Sequence, residues 1–146
     1  MASVYCQPAD LITTGVNAIA LQDVPVQDQL VACQQASELA DSYIRGRYAL
    51  PLSAWGADVT FRTAQIAVYL TLKSRGYNPS AGADDNVRHG YEDSIRWFEG
   101  IQRQNTHPDV TPAVAQPGDP VHDLPQVITS QQRGFQYCAS KIPSVS

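Results

Sequence analysis

Asp41-Ser-Tyr-Ile-Arg-Gly-Arg-Tyr-Ala-Leu-Pro-Leu52 carries the chain out of an amphipathic helix and into a proline-locked apolar turn. Leading into it, Leu30, Cys33, Ala36, Ala40, Tyr43 and Ile44 recur at spacings of three and four. They form one apolar stripe, and Gln34, Gln35, Glu38, Asp41 and Arg45 fall on other faces. Pro51 stops the helix, because it has no amide hydrogen and biases Leu50 toward extended backbone. Leu50 and Leu52 are therefore expected to plug the end of a helical core. A corner that mixes aromatic, basic and apolar side chains in this way points to assembly more than to catalysis.

The same signals place the other helices. Pro8 suits an early position in a short helix ended by Gly15, and Val16 to Leu21 reads as another turn or two. Pro25 then opens the long helix, from about Val26 to Gly46. After a turn at Ser53 to Gly56, Asp58 or Thr60 is expected to cap a helix that runs to about Ser74. In that helix Ala64, Ile66, Ala67, Val68, Tyr69, Leu70 and Leu72 cover nearly every face, the pattern of a central, buried helix. Gly76 ends it. Asp84 and Asp85 stand at the positive end of the last helix, in which Val87, Tyr91, Ile95, Phe98 and Ile101 give the cleanest periodicity in the chain. Trp97 lies off the centre of that stripe, where it covers the edge of the core or anchors a neighbouring subunit.

The expected fold is thus all-α: a small bundle of about three main helices with short N-terminal helices, over residues 1–104, followed by an extended C-terminal arm, 105–146. The arm is read from composition. Six of the ten prolines, at 108, 112, 117, 120, 125 and 143, lie after Asn105 and break any continuous helix. Val127-Ile-Thr is a candidate for brief sheet addition. Phe135 and Tyr137 are the candidate arm anchors, large enough to offset part of the ordering entropy when the arm binds.

A chain of 146 residues with 43% hydrophobic and 16% charged residues supports one core and a surface rich in uncharged polar groups. A formal net charge of −4 argues against a dedicated nucleic-acid module, which needs a concentrated basic footprint. Cys6, Cys33 and Cys138 are odd in number and contain no Cys-x-x-Cys pair, the usage of reduced thiols; Cys33 reads as a small buried residue. The start lacks the basic and continuous apolar run of a signal peptide, no stretch reaches membrane-spanning length, and cytoplasmic synthesis is expected.

No enzyme chemistry converges. His89, His107 and His122 are scattered, and metals require convergent ligands. Asp84 with Asp85, and Glu92 with Asp93, are adjacent pairs that point in different directions. Ser37 and Ser42 have no activating setting, and no glycine-rich segment cradles a phosphate. The chain is expected to use no cofactor and no metal. Arg45 and Arg47 carry more: they suit the negative end of a helix dipole, paired carboxylates across a subunit interface, or DNA. Asp41, one turn before Arg45, is also placed for an internal helix pair.

In order and spacing, Pro8-Ala-Asp-Leu-Ile, then Asp41, Tyr43, Arg47, Tyr48, Leu50, Pro51 and Leu52, then Ile66, Ala67, Tyr69, Leu70 and Arg75, then Tyr91, Asp93, Ile95 and Trp97, resemble the Mu-like prophage family of small head–tail connector proteins, over roughly the first two thirds of the chain. Ser130-Gln-Gln-Arg-Gly-Phe135 matches that family's basic C-terminal segment imperfectly. The resemblance implies a head-completion or neck protein of the virion. It would bind the portal protein, neighbouring copies in a twelvefold ring and a downstream neck or tail protein, touch packaged DNA non-specifically, and use no membrane. Asp41, Tyr43, Arg45, Arg47, Tyr48, Leu50, Pro51, Leu52 and Trp97 are the expected structural corner or subunit interface. The alternative is a protein-binding adaptor that never forms a ring, or another neck component such as a tail terminator.

Overall fold

Three long helices make the body of the molecule. In the computed structural model, which describes residues 3–14, 16, 18–76 and 82–114, the elements in chain order are α1 (Pro8–Thr13), α2 (Ala18–Gln22), α3 (Val26–Ile44), β1 (Leu52–Trp55), α4 (Ala57–Lys73), α5 (Gly82–Gln102) and β2 (Val110–Pro112). Helices α3, α4 and α5 pack against one another, and α1 lies against α3 and α4. The expected helical bundle is what forms, with an antiparallel strand pair added to it.

Helix α4 is the centre. Val59, Ala64, Ile66, Ala67 and Val68 are almost wholly removed from solvent, and Tyr69, Leu70 and Leu72 are half-buried. Its start differs from expectation: Gly56, with extended backbone, is the N-cap, and Asp58 lies in the first turn. An added Cβ at Gly56 would stand 2.7 Å from Asp58 Oδ1 and 3.1 Å from Asp109 Cβ, so the absence of a side chain lets the strand-to-helix turn close. The helix ends at Lys73. Gly76 follows at φ 87°, in the left-handed region that suits glycine after a helix. There Arg75 holds the C-terminal end of α2: its guanidinium donates to the Ala20 carbonyl and pairs with Asp23 at 3.1 Å.

The α3 stripe is displaced from the expected one at its start. Cys33, Ala36, Ala40 and Ile44 are fully buried, but Leu30 is 39% exposed, and Gln29 takes the inward position instead. The Gln29 amide reaches the Val24 carbonyl at 3.0 Å, and so satisfies backbone at the α2–α3 turn that an apolar side chain would leave unpaired. Asp41, expected to face away from the core, is also buried.

On α5, Phe98 and Ile101 are fully buried and Val87, Tyr91 and Ile95 are half-buried. Ser94, also fully buried, lies within hydrogen-bonding distance of Gln65 Oε1 on α4 (2.7 Å). Tyr91 stacks on Tyr69 of α4 with ring centroids 4.2 Å apart, and burial raises its hydroxyl above the usual tyrosine value.

Where a turn is expected at Ser53 to Gly56, Leu52–Trp55 form β1. In its pairing with β2, Leu52 faces Pro112, Ala54 faces Thr111 and Trp55 faces Val110, with an irregularity between Leu52 and Ala54. Of the described residues after Asn105, Pro108 is buried and Val110–Pro112 pair with β1, and a compact unit runs from Met1 to Gln116. The remaining residues, including Val127-Ile-Thr, Phe135 and Tyr137, lie outside the described part.

Candidate assembly site

The corner between α3 and β1 is built on backbone first. The Arg45 amide donates to the Asp41 carbonyl, and those of Arg47 and Tyr48 donate to the Ile44 carbonyl, all at 2.9 Å, which closes the last turn of α3. The Leu50–Pro51 peptide is cis, and the Pro51 carbonyl accepts the Ala113 amide at 2.9 Å, so the turn is tied to the end of β2. Pro51 itself is exposed. Leu52 is 4% exposed and plugs the core, while Leu50 is only half-buried.

Two side-chain groups sit on this frame. Tyr43 stacks on Phe98 (centroids 6.2 Å apart, planes 24° apart), and Trp97 meets the same Phe98 edge-on at 5.1 Å and 82°. The end of α3 is thereby joined to α5 through three aromatic rings. Beside them, the Arg47 guanidinium lies over the Tyr48 ring at 5.8 Å and 3.5 Å from His107 Nδ1. Arg45 is exposed. An added Cβ on Gly46 would lie 3.9 Å from Gln102 Cγ, so the C-terminal ends of α3 and α5 lie side by side. Arg45, Arg47, Arg103 and His107 thus lie about the C-terminal ends of α3 and α5, where Arg103 is paired with Glu99 at 3.4 Å. Two helix C-termini, each with a negative dipole end, favour cations there.

Asp41 does something different from the rest. The Tyr5 hydroxyl donates to its carboxylate, and the Tyr5 amide donates to Ser37 Oγ at 3.0 Å, one helical turn earlier. Burial is the main effect on Asp41 and raises its carboxyl above the usual range, against the opposing hydrogen bond from Tyr5 and the charge of Arg45; Glu38 adds to the rise. The Tyr5 hydroxyl is raised as well, by burial and then by the neighbouring carboxylate. Tyr5 also meets Trp55 of β1 edge-to-face at 5.0 Å.

Of the residues singled out from sequence, the structure brings Tyr43 and Trp97 together through Phe98, leaves Arg45 exposed and Arg47 half-buried at the corner, and packs half-buried Tyr48 against the core. Leu52 and Asp41 are interior. Phe135 and Tyr137 are outside the described residues. Sequence reasoning missed Tyr5, Ser37 and His107 as parts of this region. Tyr5 lies in a non-helical stretch that has no periodicity to orient it, and nothing local marks His107 as the neighbour of Arg47, sixty positions away. Among the described residues, no group of three His, Cys, Asp or Glu side chains is placed to hold a metal, and no helix is long and apolar enough to cross a membrane.

A model of the family described as Bacteriophage Mu, Gp36 matches residues 5–122. The curated "Mu-like prophage FluMu protein gp36" of Haemophilus influenzae (strain ATCC 51907 / DSM 11121 / KW20 / Rd) is 37% identical over 84 residues, which is 58% of this chain and 52% of that protein. The match thus spans about half the length of the curated relative. The family match also extends past the two thirds of the chain over which sequence motifs suggest it, through β2.

Proposed function

The chain belongs to the bacteriophage Mu Gp36 family, and from that premise we propose that it is a head–tail connector subunit. Copies of it would form a closed ring between the portal and the next neck or tail component and continue the DNA channel. The family match over residues 5–122 carries this reading. The corner supports it, because that region is tied down by backbone hydrogen bonds yet leaves Arg45 and Pro51 exposed and Arg47 half-exposed on a fixed frame. A side chain held on packed backbone loses little freedom when a neighbour binds, which is what a repeated interface requires.

We assign the arginines to carboxylates of a neighbouring subunit. Arg47 is already oriented by Tyr48 and His107, and a fixed guanidinium suits paired hydrogen bonds to a carboxylate. DNA moving through a channel calls instead for weak contacts spread around the lumen, and the net charge of −4 fits that role poorly over most of the surface. Residues after Gln116, with Phe135 and Tyr137 as anchors, would extend the contact to the portal or to the next copy.

Native mass determination of the full chain, alone and with its portal, tests the proposal. A portal-dependent closed oligomer supports a connector. A chain that binds as single copies and never closes is a protein-binding adaptor, and that result would overturn the ring.

A further inference from the structure

The first residues of the chain run beside α3. Tyr5 is fixed twice, by its amide to Ser37 Oγ and by its hydroxyl to Asp41, and Ser37 Oγ donates in turn to the Cys33 carbonyl at 2.7 Å. Positions 33, 37 and 41 are successive turns of one helix face. With Tyr5 spanning the Ser37–Asp41 stretch, the next residue falls at the level of Cys33. That residue is Cys6, and its thiol is hydrogen-bonded to that of Cys33. Both side chains are buried, at 1% and 0% exposure, in the same core cluster. Neither takes part in the corner, the aromatic contacts or the basic end.

The contact makes the two sulfurs unequal. The hydrogen bond from Cys6 lowers Cys33 below the usual thiol value, and the same bond, with burial, raises Cys6. Of the two, Cys33 is the more readily deprotonated. Access requires the non-helical segment before α1 to release the Tyr5 contacts with Ser37 and Asp41, a local opening smaller than the unfolding of a packed helix.

We propose that Cys6 and Cys33 form a redox-sensitive pair that closes to an intrachain disulfide and fastens the N-terminal segment to α3. With a peroxide as oxidant, the Cys33 thiolate takes one peroxide oxygen and becomes a sulfenic acid, and the other oxygen leaves as water once protonated. The Cys6 sulfur then displaces the sulfenic oxygen as a second water. Two S–H bonds and one O–O bond are broken, one S–S bond is formed, and the two electrons lost by the thiols reduce the peroxide. The closed loop from 6 to 33 restricts the unfolded chain, so the oxidised protein is the more stable form. The pair has this chemistry whether or not the chain assembles on a portal.

The test uses the full chain carrying Cys138→Ser, so that the third cysteine cannot exchange. The protein is treated with hydrogen peroxide, quenched, denatured, alkylated, digested and mapped by mass. The expected result is a protein lighter by two hydrogens, with Cys6 and Cys33 protected from alkylation and found in one linked peptide. A rise in melting midpoint should accompany the link, and dithiothreitol should reverse both. Cys6→Ser should abolish the linked peptide. The same map on the unsubstituted chain gives the answer if Cys138→Ser disturbs folding. Full alkylation of both thiols after peroxide, separate over-oxidation of each, or links only between two copies would overturn the proposal.

Discussion

Asp41 shows how one buried carboxyl sets a pH dependence. Its folded-state pKa is raised above the usual 3.8 by burial, so the folded protein binds this proton more tightly than the unfolded chain does. Its contribution to stability is complete below that unfolded value and is lost as pH rises through the folded one. Asp41→Asn keeps an oxygen to accept the Tyr5 hydroxyl and removes the titration. The stability of the variant relative to the parent should therefore rise from acid to neutral pH, measured by urea unfolding at each pH; a difference that stays flat, or moves the other way, contradicts the assignment. Leu52→Ala should cost about 2–5 kcal/mol, since the side chain is 4% exposed, and Leu50→Ala should cost less because Leu50 is half-buried. Thermal unfolding of both variants checks that order. At this scale the sequence made the aliphatic positions legible, since proline and periodicity locate Leu52 and Ile44. It did not show that Asp41 turns inward, because the partner that makes burial tolerable, Tyr5, lies thirty-six positions away in a stretch without a pattern.

Among the elements, α5 and the loop that leads from it to β2 are held by a close approach. Asn105 and Thr106 both donate their amides to the Gly100 carbonyl, and an added Cβ on Gly100 would stand 2.4 Å from Thr106 Oγ1. A glycine in a helix ordinarily gains about 1 kcal/mol on replacement by alanine. Here the sign should reverse: Gly100→Ala is expected to lose about 1–3 kcal/mol by overpacking, and adding Thr106→Ala should recover part of that loss. Denaturant unfolding of the two single variants and the double variant checks it. The same coupling bears on where the chain can be shortened. Ending it at Asn105 removes the buried Pro108 and the strand that pairs with β1, whereas ending it at Gln116 keeps the first compact unit whole. The longer truncation product should match the parent in helical circular dichroism and unfolding midpoint, and the shorter one should melt lower. Three of these elements could be read from periodicity. The strand pair could not, because each strand has only three or four residues and its partner lies more than fifty positions away, in a segment whose prolines suggest no structure.

For the molecule as a whole, the chain is a helical bundle of the bacteriophage Mu Gp36 family in which Arg45 and Arg47 lie at the C-terminal end of α3. If Arg47 bonds a carboxylate of the next subunit, Arg47→Lys should retain folding but weaken oligomer closure, because an ammonium cannot make the paired contact of a guanidinium. Sedimentation with and without the portal reads this out. The family was legible from ordered motifs, whereas the end at which the arginines gather needed the helices placed side by side. The most direct measurement is a reconstruction of the neck in intact particles. The proposed function predicts a closed ring of this chain against the portal, with the α3–β1 corner at the contact between copies. Particles whose neck lacks this chain would contradict it.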